Sequence, residues 1–208
     1  MSSFTRYPFR ILLVVLIVAT VKAQAATNQS AKRSGSAAIA SKRLMKELKA
    51  VRESDSHKNG VFTVELVDDN IYEWHVKLFK FDPESKLHKS LQQWRENGGK
   101  DHILLHVVYD ADYPFSPPLV RVVNPYLKGW GTLRHGNICS ELLTTRGWSS
   151  AYTIVPLILQ IAATISGDEI NSAINAEVDY NIEAAKVLHS TFKLIEKDHW
   201  TIGQNKES

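Results

Sequence analysis

Two stretches of alternating residues meet across a short polar turn, and this pairing restricts the fold more than any other feature. In residues 61–67, Phe62, Val64 and Leu66 alternate with Thr63 and Glu65; in residues 72–78, Tyr72, Trp74, Val76 and Leu78 alternate with Glu73, His75 and Lys77. A period of two places one set of side chains on one face of a strand. Asp68, Asp69 and Asn70 supply turn chemistry between them. The result is a hairpin whose two apolar faces agree, so something must cover that face. Ile103, Leu105 and Val107 resume the alternation, and residues 119–123 add a fourth short strand after the kinked run YPFSPP. Residues 82–100 are polar, end in Asn97-Gly98-Gly99 and carry Trp94, so they are expected to interrupt the sheet as a long connection. The order predicts a four-stranded antiparallel meander.

Helical patterns flank these strands. From 38 to about 52, Leu44, Leu48 and Val51 recur at helical spacing with Met45 beside them, and Lys42, Lys46 and Lys49 share another face with Arg43 adjoining. Such a basic face is either plain solvated surface or a docking surface. Thr153 is the expected N-cap of IVPLILQIAATI, with Pro156 in the first turn, where its missing N–H is harmless. That run is apolar on nearly all sides, which predicts a buried central helix. A polar loop over 166–178 leads to a last amphipathic helix with Ile182, Ala185, Leu188, Phe192 and Ile195 inward. The fold class is α+β.

The first 37 residues read differently. No Asp or Glu precedes Glu47, while Arg6, Arg10, Lys22, Lys32, Arg33, Lys42, Arg43 and Lys46 all do. The apolar run ILLVVLIVATV would span about 16 Å as a helix, roughly half a bilayer core. With its basic start and Ala23-Gln24-Ala25 it resembles a secretory signal, or else a short membrane-associating leader. The expected organisation is a leader over 1–25, a disordered linker over 26–37, a folded domain over 38–200 and a polar tail over 201–208. The net charge of +3 in 208 residues, with no basic stripe interleaved with aromatics, excludes nucleic acid as the expected partner.

Cys139 is the only cysteine, so the fold contains no internal disulfide. A lone thiol serves as inert core, metal ligand or nucleophile. The eight histidines offer no ligand spacing beside it; His102 and His106 are four apart but lie on a strand pattern. No metal site is expected. A hydrolase built on a Cys–His pair would draw its base from His135, yet no third orienting group stands at recognisable spacing.

SKRLMKELKAVRES, YPFSPP, VRVVNP and ICSELLTTRGWSSAYTIVPLILQI occur in an order and spacing that resemble the ubiquitin-conjugating enzymes, and more closely their divergent Q-type branch. The similarity spans roughly residues 38–200. It implies the UBC-like fold: an N-terminal helix, the four-stranded meander, the buried central helix and a C-terminal helix. It also implies a transferase that accepts ubiquitin as a thioester on Cys139 from an activating enzyme and passes it to a protein substrate, usually with a ubiquitin ligase. A catalytically inactive variant that binds ubiquitin or a ligase is the alternative. No cofactor is implied on the chain itself, since the upstream activating enzyme uses the ATP.

The resemblance further implies roles for particular residues. The basic face of the first helix, Lys42, Arg43, Lys46 and Lys49, would contact the activating enzyme. Trp148, Ser149, Ser150 and Ala151 match the loop where ligases often dock, with Ser150 standing where many members have proline. Most of the family carries His-Pro-Asn about ten residues before the cysteine; here that place reads Gly129-Trp130-Gly131, and the Q-type branch shares the departure. Asn137 and His135 are the candidates for the missing catalytic support, or else ordinary loop residues. Ubiquitin and ATP place such chemistry in the cytoplasm or nucleus, whereas the leader points to export, and membrane association follows only if the leader is retained.

Overall fold

The computed structural model describes residues 35–128, 136–138, 140–167, 173–175 and 187. The leader, the linker as far as 34, residues 129–135 with His135, Cys139 itself, the last helix apart from Val187, and the polar tail lie outside the described residues.

Helix α1 spans 35–53, three residues earlier than the sequence pattern indicates, so the expected linker ends before residue 35. Ala40, Leu44, Leu48 and Val51 are buried along one stripe, while Met45 turns outward with 59% of its surface exposed. A single turn, α2 (Asp55–Lys58), is capped by Ser54, whose hydroxyl accepts from the His57 amide.

The strands β1 (Phe62–Val67), β2 (Asn70–Leu78), β3 (Ile103–Val108) and β4 (Leu119–Asn124) form the expected antiparallel sheet in the order β1-β2-β3-β4. Asp68 and Asp69 both take positive φ, 48° and 56°, the conformation of a tight hairpin whose twist matches its strands. Phe62, Val64, Trp74, Val76, Leu78, Ile103, Leu105, Val107, Val120 and Val122 are buried in one continuous core with α1. Trp74 is fully buried and donates its indole N–H to Ile71 O at 2.7 Å. Truncating such a residue costs about 3–5 kcal/mol.

Three sequence expectations are corrected. Residues 82–100 are not a bare connection: they contain α3 (Lys86–Glu96), capped by Ser85, which accepts from the His88 amide. Leu87 and Leu91 are buried, and half-buried Trp94 packs over Gly99, where a Cβ would overlap its indole. The loop after the central helix contains β6 (Ala173–Asn175), which pairs with β5 (Tyr126–Lys128) in a second, two-stranded sheet. In α4 (Ile154–Ser166) the core face is Ile154, Leu157, Ile158, Ile161, Ala162 and Ile165, but Leu159 is 38% exposed, so the helix is buried along one side rather than all round.

Candidate functional site

Thr153 occupies the N-cap position of α4 with an extended backbone, but its side chain makes no capping bond. The cap comes from far away in sequence. Glu47, 4% exposed on α1, accepts the Ile154 amide on Oε2 at 3.0 Å. Its other oxygen takes the Arg43 Nε at 2.7 Å. Arg43 then donates Nη1 to Ser150 O at 3.0 Å and Nη2 to Tyr152 O at 2.7 Å. Its guanidinium also lies 5.9 Å from the centre of the Tyr113 ring. Arg43 is therefore committed to holding the 150–152 loop against α1. The cations that α1 presents to solvent are Lys42, Lys46 and Lys49, with Lys49 3.8 Å from Glu53.

The loop bearing Trp148, Ser149, Ser150 and Ala151 is fixed at its other end too. Trp148 donates its indole N–H to Pro114 O at 2.7 Å, tying this loop to YPFSPP. Its ring lies between Tyr113 and Tyr152, with centroid distances of 6.2 and 5.6 Å. Tyr113 in turn meets Tyr109 at 4.9 Å, and Tyr109 meets Trp74 at 5.1 Å, so an aromatic column runs from the core to the loop. Burial holds the Tyr113 and Tyr109 phenols well above their ordinary range, and both stay neutral. Trp148 is thus half-buried scaffold, whereas Ser150, Ala151 and Tyr152 face solvent.

Sequence reasoning overlooked Phe115. It is 69% exposed at the tip of YPFSPP and lines a shallow depression with Ile39, itself 52% exposed, and with Ser36 and Asp112. An aromatic between two prolines was the available signal, because a loop apolar residue with no core to enter tends to serve a partner.

The segment before the cysteine is strand-like. Ile138 N–H donates to Val120 O at 3.1 Å, and Asn137 stands directly opposite Arg121 in an isolated antiparallel bridge. Gly136, at φ 84°, takes a conformation that only glycine adopts readily. Asn137 is 6% exposed, so it is packed against the sheet rather than displayed on a loop surface. On the other side of Cys139, Leu143 N–H returns to Ser140 O at 3.0 Å and opens a 3-10 turn, Glu141–Leu143. The neighbours of the thiol on both sides are thereby anchored to backbone.

The family model described as ubiquitin-conjugating enzyme matches residues 99–195. Over 163 residues the chain is 44% identical to ubiquitin-conjugating enzyme E2 Q1 of Homo sapiens, covering 77% of this chain and 39% of that protein. The chain thus spans about two fifths of the length of that relative. It is 36% identical over 160 residues to the ubiquitin-conjugating enzyme Q-like protein 1 of Homo sapiens, covering 76% of this chain and 94% of the relative. A ubiquitin conjugating enzyme E2 from Plasmodium falciparum shares the fold at a TM-score of 0.50 and 20% identity, covering 62% of this chain and 86% of that one. Together with the meander, its flanking helices and the cysteine-bearing segment at the β4 edge, these matches place the chain in the ubiquitin-conjugating enzyme family, in its Q branch.

Proposed function

We propose that this chain carries ubiquitin as a thioester on Cys139 and hands it to an amine of a protein substrate. The Cys139 thiolate attacks the thioester carbonyl of the charged activating enzyme and releases that enzyme's thiolate. The substrate amine then attacks the new thioester, the Cys139 thiolate leaves, and the amine gives up its proton. One observation carries the reading: the only thiol of the chain follows a backbone-paired segment in a member of a transferase family. An ordinary thiol near pKa 8.5 is only a few per cent ionised at neutral pH, so positioning must supply much of the rate.

Lys42, Lys46 and Lys49 are the cations on the activating-enzyme side. Phe115 with Ser150, Ala151 and Tyr152 forms the ligase side. Asn137 and His135 are the candidates for the oxyanion donor or base that Gly129-Trp130-Gly131 lacks. Loss of such a donor costs on the order of a hundredfold in rate. Asn137→Ala should therefore slow discharge to lysine far more than charging, and His135→Ala should abolish a pH dependence of discharge. This chemistry belongs in the cytoplasm or nucleus, where ubiquitin and ATP are found.

The decisive experiment incubates the chain with activating enzyme, ATP and ubiquitin. A thiol-sensitive adduct of one ubiquitin, absent in Cys139→Ala, is expected. Binding of ubiquitin or ligase without an adduct would instead establish the inactive variant, the reading that the missing His-Pro-Asn favours.

A further inference from the structure

The face of the sheet turned away from the core carries a row of polar residues in register. Glu65 stands opposite His75, His75 opposite His106, His106 opposite Arg121, and Arg121 opposite Asn137. Cross-strand partners on one face are close enough to interact directly. The row ends two residues before the only thiol. Its inner members are buried, with His106 8% and Arg121 5% exposed, which is unusual for charged groups unless they are paired.

The pairing is specific about protons. Arg121 Nη2 lies 3.1 Å from His106 Nδ1. A guanidinium only donates, so Nδ1 must keep its lone pair and the ring proton must sit on Nε2. Nε2 faces Glu73 Oε2 at 3.3 Å, too poorly aligned for a good hydrogen bond. The His75 ring meets the His106 ring at 5.4 Å between centroids. Glu65 is taken by Lys77 at 2.7 Å, at the far end of the row.

We propose that His106 and Arg121 form a proton-sensitive positioning pair for the Cys139 segment. With His106 neutral, the guanidinium is held beneath Asn137 and the bridge to Val120 stays closed. Protonation places an N–H against an N–H and a cation against a cation, so Arg121 swings away and the 136–138 segment loosens. Burial first, then Arg121 and His75, hold His106 below its ordinary value, and Glu73 opposes them only in part. The switch therefore operates below about pH 6.5. Its functional meaning rests on Cys139 being the acyl carrier.

Amide hydrogen exchange on the full chain tests the pair. The Ile138 amide should lose at least tenfold in protection between pH 7.5 and 5.5, while Ile161 within α4 keeps its own. His106→Gln retains an acceptor that cannot titrate and should keep Ile138 protected at both values. Arg121→Lys, which retains the charge without the fork, should leave Ile138 weakly protected throughout. Alkylation of the only thiol by iodoacetamide, corrected for thiolate fraction, should change at least threefold over the same range and stay level in His106→Gln. Unchanged Ile138 protection in the parent chain, equal loss at Ile161, or level alkylation overturns the proposal. A chain that shows the pH response but forms no ubiquitin adduct overturns the carrier reading alone.

Discussion

Glu47 caps a helix 107 residues further along the chain: its Oε2 accepts the Ile154 amide at 3.0 Å while its Oε1 holds Arg43 at 2.7 Å. The apolar α4 has no acidic residue in its first turn, and Thr153 makes no capping bond, so this carboxylate supplies the anion that the helix start favours. The bond also fixes the angle between α1 and α4, and with it the loop that Arg43 grips.

Glu47→Ala leaves the Ile154 amide and the half-buried Arg43 without their acceptor. The expected loss is about 3 kcal/mol, in the range for breaking a buried pair. Urea unfolding followed by tryptophan fluorescence measures it. A loss below about 1 kcal/mol would mean that water or another group replaces the carboxylate.

Lys46 and Arg43 adjoin on one helix but should behave differently. Lys46→Glu is exposed and should change stability by less than about 0.5 kcal/mol. It should slow charging by the activating enzyme at low salt, with the difference shrinking as salt rises. Arg43→Glu should destabilise the fold first, because it frees the carbonyls of Ser150 and Tyr152 and sets a second carboxylate beside Glu47. Charging kinetics and melting curves on both variants separate the two roles.

Phe115→Ala removes an aromatic with 69% of its surface exposed, so the fold should be nearly indifferent to it. Ligase-stimulated discharge should fall by roughly tenfold or more, as for a central interface residue, with discharge to free lysine unchanged. Equal stimulation in both proteins would remove Phe115 from the ligase face.

Acid should weaken the fold before the carboxylates titrate. Burial depresses His75 and His106, with the Arg121 cation the second cause for His106. Each is neutral when folded and takes up a proton near pH 6.5 when unfolded. Their contribution is therefore full above about pH 6.5 and is lost as pH falls through the depressed folded values. The urea midpoint should drop between pH 7 and 5.5, and drop less in His106→Gln.

The meander was readable because its alternation is local: Phe62, Val64, Trp74, Val76, Ile103, Leu105 and Val107 all face the core as their spacing implies. Helix α3 escaped notice because Leu87, Leu91 and Trp94 are sparse among polar residues, although their i, i+4, i+7 spacing and the Ser85 cap were present. The exposed cations of α1 were legible, but the inward turn of Arg43 was not, since its partners are 107 and 109 residues away. The row from Glu65 to Asn137 was equally hidden. It exists only once four strands and a bridge have taken their register, which no single stretch specifies.

The grip of Arg43 on Ser150 and Tyr152 also has a temporal side. During synthesis α1 leaves the ribosome more than a hundred residues before the carbonyls it will hold, with Glu47 waiting on the same turn. Until residue 154 emerges, that acid and that base have only each other. The docking loop gains its shape in one late step, when the newest part of the chain closes onto one of the oldest.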